Sequence, residues 1–202
     1  RAQLRGYNQA SRNANDAIAI LQTAEGAYHN LTEILIRMRE LSVQASNDSL
    51  TDKERAYLNT EYQALKTEID RIANVTEFNG LALSNATSSI NVQVGFRAVT
   101  ANDTIGVTLK SGLTTALGIN ASHLGTTTGA LASITSLDTG IDSNNTSRAS
   151  YGAAQNALTS ALHNLESTTE NLVSAESAIR DVDFASETAD MTRNNIFQQA
   201  GV

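Results

Sequence analysis

The spacing of the apolar residues constrains this chain more than any other feature of its sequence. Through two long segments, apolar residues recur at alternating intervals of three and four, as from Ala14 through Tyr28 to Met38. This spacing returns an apolar side chain to one face of an α-helix and predicts helices that pack lengthwise on one another. The 202 residues include no proline, so no residue removes a backbone donor from a helix interior.

The periodicity predicts three long helices and the start of a further one, over residues 1–46, 51–74, 131–180 and 184–202. The second of these begins with a capping-box pattern, in which Thr51 caps the helix and Glu54 reaches back to the backbone of Thr51. Asp183 is predicted to cap the further helix. In the helix over 131–180, the middle of the apolar seam is polar because of Asn144, Asn145 and Arg148.

Between the helices the period changes from about 3.6 to two. Apolar residues alternate with polar or small ones from Ile90 to Phe96 and again from Ile105 to Leu109, which predicts a β-hairpin within residues 88–110. Asn79-Gly80 predicts a turn before it. Residues 111–130 are rich in Gly, Thr and Ser, show no clear period and are expected to form a loop.

Together these elements predict a mainly α fold, an elongated antiparallel helical rod with coiled-coil-like packing and a small β-hairpin. Long helices need an apolar face to pack against, because isolated helices are weakly stable in water. The last long helix is therefore expected to lie along the first two. We expect residues 1–202 to form a single domain.

Composition excludes several classes of function. The 14 basic and 21 acidic residues give a net charge of −7, which argues against a nucleic-acid partner, and no apolar run is long enough to span a membrane. The absence of cysteine excludes disulfides and thiolate chemistry. His29, His123 and His163 do not fall in a metal-ligand pattern. We therefore expect no catalytic, cofactor or metal site, and no enzyme activity.

Several motifs resemble the two conserved terminal regions of bacterial flagellin. They cover about residues 3–110 and 131–202 in the family's order. The N-terminal motifs lie at residues 9–16, 22–27, 37–47, 68–71 and 78–80, and the C-terminal motifs at 154–158, 179–185 and 198–201. So many separate matches make the resemblance specific. The hook–filament junction protein, a flagellin relative, is the alternative, and the closeness of residues 9–16 and 37–47 to flagellin disfavours it.

The resemblance implies a structural subunit of the flagellar filament, secreted to the cell exterior, whose partners are further copies of itself. It also implies that the chain is the rod-like D1 portion, without the terminal segments that drive polymerisation, and hence a monomer when alone. The family inserts variable outer domains where only residues 116–130 stand here. Either this flagellin is naturally short or those domains were deleted.

The same resemblance implies recognition by Toll-like receptor 5, an innate immune receptor of the host. The receptor-binding residues carried over are Arg37, Arg39, Glu40, Leu41, Gln44 and Glu61. Arg37 takes the place of an arginine inserted into a receptor pocket, Leu41 that of an apolar contact beside it, and Glu61 that of a carboxylate on the second helix. Ile36 departs from the glutamine of many relatives. Apart from the receptor, Arg37 could pair with Glu33 four residues earlier, and Leu41 is expected at the edge of the seam.

Overall fold

The computed structural model of the chain describes residues 2–97, 99–180 and 184–200. It is mainly helical with a small antiparallel hairpin, as predicted. The helices are α1 (Ala2–Ala45), α2 (Asp52–Val75), the single turn α3 (Thr100–Asp103), α4 (Thr127–Arg180) and α5 (Phe184–Ala200). The strands are β1 (Glu77–Phe78), β2 (Leu81–Ala82), β3 (Ser88–Gln93) and β4 (Thr104–Leu109). The predicted cap Asp183 lies outside the described residues.

Helices α1 and α4 run antiparallel along one another. Glu25 of α1 lies beside Arg148 of α4. Arg39, which comes later in α1, lies beside Asp138, which comes earlier in α4. The apolar seam between them repeats every seven residues. On α4 the buried series is Ala130, Leu137, Asn144, Tyr151, Leu158 and Leu165. A seven-residue repeat of buried side chains is typical of coiled-coil packing.

The described residues contain four long helices rather than the predicted three. The segment expected only to start a further helix forms the 17-residue α5, because its Ala, Glu, Met, Arg and Gln residues favour helix and no glycine or proline interrupts it. Helix α4 also begins four residues before the predicted start. Thr126 caps it, since its hydroxyl accepts a hydrogen bond from the Gly129 amide at 3.0 Å.

The predicted β-hairpin is the antiparallel pair β3–β4, in which Ile90 lies opposite Val107 and Val92 opposite Ile105. Val92 and Val107 are buried against the helices. The Asn79-Gly80 turn is also present, and it joins a second, very short hairpin, β1–β2. Both turn residues have positive φ, 49° and 77°, the conformation for which Asn and Gly are best suited.

The segment predicted as a loop without a period is an ordered strap, residues 110–126, that crosses α2. Three of its apolar side chains are buried in the core: Leu117, Ile119 and Leu124. Polar side chains of α2 hold its backbone. Asp70 accepts hydrogen bonds from the amide and hydroxyl of Thr114 at 2.8 and 3.0 Å, and the Lys66 ammonium donates to the Asn120 carbonyl at 2.6 Å. The strap therefore packs against α2 and the core as it connects the β-hairpin to α4.

Candidate functional site

Three of the predicted receptor-binding residues, Arg37 and Glu40 of α1 and Glu61 of α2, meet on one exposed face. The guanidinium of Arg37 donates two hydrogen bonds to one carboxylate oxygen of Glu61, at 3.0 Å from Nε and 2.8 Å from Nη2. A third donor, Nη1, lies 3.1 Å from Glu40. Within the described residues, Arg37 is thus paired with Glu61 and Glu40 and not with Glu33, which lies 3.7 Å from His29.

The Arg37 cluster, defined as Arg37, Glu40 and Glu61, is charged and accessible. The side chains of Arg37 and Glu61 are 51% and 45% exposed. Hydrogen bonds to Glu61 first, and then to Glu40, raise the pKa of Arg37 above its usual value. The two hydrogen bonds to Glu61 hold the guanidinium toward α2, so the pair joins the two helices.

Arg39 and Gln44 extend this face in different ways. Arg39 points toward α4, where its Nε donates to Asp138 at 2.7 Å, and this contact raises the pKa of Arg39. Gln44 is exposed one turn beyond the Arg37 cluster. Asp138 was not predicted from the sequence, because it lies 99 residues from Arg39 and only the antiparallel packing brings the two together.

Leu41 does not lie at the edge of the seam, and that prediction is wrong. It is 1% exposed and belongs to the core cluster that also contains Met38 and Tyr62. The α1 seam is wider than a two-residue stripe, because α1 packs against both α2 and α4 and buries Leu41 as well as Ser42. Leu41 therefore lies in the core beneath the exposed face and is not part of that face.

Two features stabilise the turn that joins α1 and α2, the helices that carry the Arg37 cluster. The predicted capping box is present, since Thr51 Oγ1 accepts from the Glu54 amide and Glu54 accepts from the Thr51 amide at 2.7 Å. The second feature was missed from the sequence. Arg55, 7% exposed, donates to the carbonyl oxygens of Ala45, Asn47 and Leu50. These include carbonyls that the end of α1 leaves unpaired.

This arrangement offers an exposed surface of paired charges across α1, α2 and α4. No group of three or more His, Asp or Glu side chains placed to hold a metal ion occurs in the described ranges. None of the helices in those ranges is both long and apolar enough to cross a membrane.

Comparison with known proteins identifies the family. The profile of the bacterial flagellin N-terminal helical region matches residues 1–89, and that of the bacterial flagellin C-terminal helical region matches residues 134–202. The chain belongs to the bacterial flagellin family. Membership makes this flagellin a structural subunit of the flagellar filament, which is an extracellular assembly.

Individual relatives agree with this assignment. A flagellin of Halalkalibacterium halodurans is 42% identical over 99% of this chain and 74% of the relative. A flagellin of Bacillus subtilis is 37% identical over 99% of this chain and 76% of the relative. The crystal structure of Bacillus cereus flagellin is similar with a TM-score of 0.66 and 34% identity, over 82% of this chain and 94% of that one.

A protein of Vibrio parahaemolyticus proposed to be flagellar hook-associated shares the fold, with a TM-score of 0.69 over 89% of this chain and 92% of that one. Its sequence identity is only 15%. The likeness therefore concerns the fold alone, whereas the flagellin relatives are similar in sequence as well.

Proposed function

We propose that this flagellin is a single D1-type rod whose Arg37 cluster, with Arg39 and Gln44, forms a protein-docking surface used by two partners. In the filament the partner is a neighbouring subunit, and in the free, secreted protein it is Toll-like receptor 5 of the host. The observation that carries this proposal is the exposed Arg37–Glu61 pair, which joins two helices in a fixed geometry. Self-association by such faces gives an open helical polymer when the contact does not close on itself.

The composition of this face supports protein binding. Ile36 and Val43 lie seven residues apart on α1, on either side of Glu40, and each is about half exposed at 48% and 49%. An exposed arginine on the same helix surface as exposed apolar side chains has the character of an interface hot spot. We propose Arg37 as the central contact and Glu61 and Glu40 as the groups that orient it, with Arg39 and Gln44 at the periphery.

Leu41 is given a different role in this proposal. Because its side chain is in the core, its truncation should cost about 2–5 kcal/mol of stability. Leu41→Ala would therefore confound loss of binding with loss of structure, and it is unsuitable as a test of the surface.

Arg37→Ala tests the receptor surface. We expect it to weaken binding to the receptor ectodomain about tenfold or more, the loss typical of an interface hot spot. Arg71→Ala is the matched control, because Arg71 is a comparably exposed arginine with two hydrogen bonds to one glutamate, Glu68. Surface plasmon resonance measures both affinities, and circular dichroism should show unchanged helicity. Equal affinities of the two variants would contradict the proposal.

A further inference from the structure

The middle of the bundle contains a polar layer where the α1–α4 seam is otherwise apolar. This central polar layer consists of Tyr28, Thr32, Lys110, Asn144 and Tyr151. Asn144 is fully buried, and its Nδ2 donates to the Tyr28 carbonyl at 3.0 Å and to Thr32 Oγ1 at 2.7 Å.

The two tyrosines of the layer, one on α1 and one on α4, both bind the backbone of Lys110, the residue that follows β4. The Tyr28 hydroxyl donates to the Lys110 carbonyl at 2.6 Å, and the Lys110 amide donates to the Tyr151 hydroxyl at 2.9 Å. The rings of Tyr28 and Tyr151 pack edge to face with centroids 5.3 Å apart. The layer thus joins α1, α4 and the residue that follows β4.

Asn144 is not required to satisfy the polar groups it contacts. Thr32 Oγ1 already donates to the Tyr28 carbonyl at 2.9 Å within α1. Meanwhile the Oδ1 of Asn144 is buried and has no hydrogen-bond partner among the residues that the structure describes, which is unfavourable. An apolar residue of similar size should therefore be tolerated at this position, so stability alone does not account for Asn144.

The apolar seam alone leaves the axial alignment of α1 and α4 ambiguous. Buried residues recur every seven positions on both helices, with Leu21, Tyr28 and Leu35 on α1 facing the series on α4. Sliding by seven residues, about 10 Å, places apolar side chains against apolar side chains again. It would, however, place Asn144 opposite Leu21 or Leu35, away from the Thr32 hydroxyl that accepts a hydrogen bond from its amide.

We propose that Asn144 is the residue that determines the register of α4 on α1. The Tyr28–Thr32 position offers its amide two acceptors, and a slip of seven residues takes it away from the Thr32 hydroxyl. Losing this bond while the amide stays buried disfavours a slipped register by about tenfold. A single buried asparagine can fix the alignment of a coiled coil in the same way.

Distances between two spin labels test the register. The sequence has no cysteine, so Glu33→Cys on α1 and Ser160→Cys on α4 provide the only labelling sites, and both positions are exposed. Double electron–electron resonance should give one distance in the parent. Asn144→Val should keep or raise the melting temperature and add a second population displaced by about 10 Å.

Two further variants make the test decisive. Ser147→Ala is the control, because Ser147 is also buried on α4 but its hydroxyl donates to the Ser143 carbonyl of its own helix at 2.9 Å, and it should keep the single distance. Asn144→Ala removes the amide without overpacking, and should also give two distances. A single distance at the parental value in either folded Asn144 variant would overturn the proposal, as would a second distance in Ser147→Ala.

Discussion

At the scale of single residues, arginines show how one side-chain type takes different roles according to burial. Arg37 is exposed and presents its charge at a surface, whereas Arg55 is buried and binds three backbone carbonyls at the end of α1. Arg55 could not be distinguished from a solvated helix arginine in the sequence, because its acceptors are backbone atoms. Arg37 was singled out only by the family resemblance.

Replacing Arg55 should destabilise the fold more than replacing Arg71. We expect Arg55→Ala to lower the free energy of unfolding by about 2–3 kcal/mol, because the carbonyls of Ala45, Asn47 and Leu50 lose their buried, charged donor. Arg71→Ala should change it by less than about 1 kcal/mol, as is typical of exposed ion pairs. Urea unfolding measures both, and similar losses for the two variants would contradict the role assigned to Arg55.

At the scale of elements, the sequence predicted the structures that depend on residues close together in the chain. It missed the one that depends on side chains far away in sequence. The capping box at Thr51, the β3–β4 hairpin and the Asn79-Gly80 turn follow from residues close together in the chain. The strap had no periodicity to reveal it. It is held by α2 side chains, such as Asp70, that are tens of residues away in sequence.

The capping box of α2 should make the stability of the folded protein depend on pH. Hydrogen bonds from the Thr51 amide, and then from its hydroxyl, hold the pKa of Glu54 below its usual value of 4.5. Because the pKa is lower in the folded state, the stabilisation is complete above pH 4.5 and is lost as the pH falls below it.

Glu54→Ala should therefore lower the melting temperature at pH 6 but have progressively less effect as the pH falls below 4.5. Thermal unfolding followed by circular dichroism at several pH values measures this difference. A difference between parent and variant that stays constant from pH 6 to strongly acidic pH would show that the Glu54 carboxylate does not stabilise the cap.

At the scale of the whole molecule, the helices pack around buried apolar clusters, and the Arg37 cluster is exposed outside them. The sequence predicted a mainly helical chain with a hairpin, because the seven-residue repeat is continuous over both long helices. It predicted the wrong position for Leu41, since the width of a buried face depends on how many helices pack against it. It did not predict the Arg39–Asp138 contact, which depends on the register of α4.

The chain alone should be monomeric. Its net charge of −7 opposes association of identical molecules, and the exposed ion pairs of the Arg37 cluster are compatible with water. Sedimentation velocity should therefore give one species at the mass of a single chain. Long polymers of the isolated chain would contradict this prediction.

The central claim is that one face, the Arg37 cluster with its flanking residues, serves both filament contacts and receptor binding. Receptor binding by dissociated subunits and by an equal mass of intact filaments of the flagellin tests it most directly. Dissociated subunits should bind the receptor ectodomain, and intact filaments should not, because neighbouring subunits cover the face. Equal binding per subunit in the two states would contradict the claim.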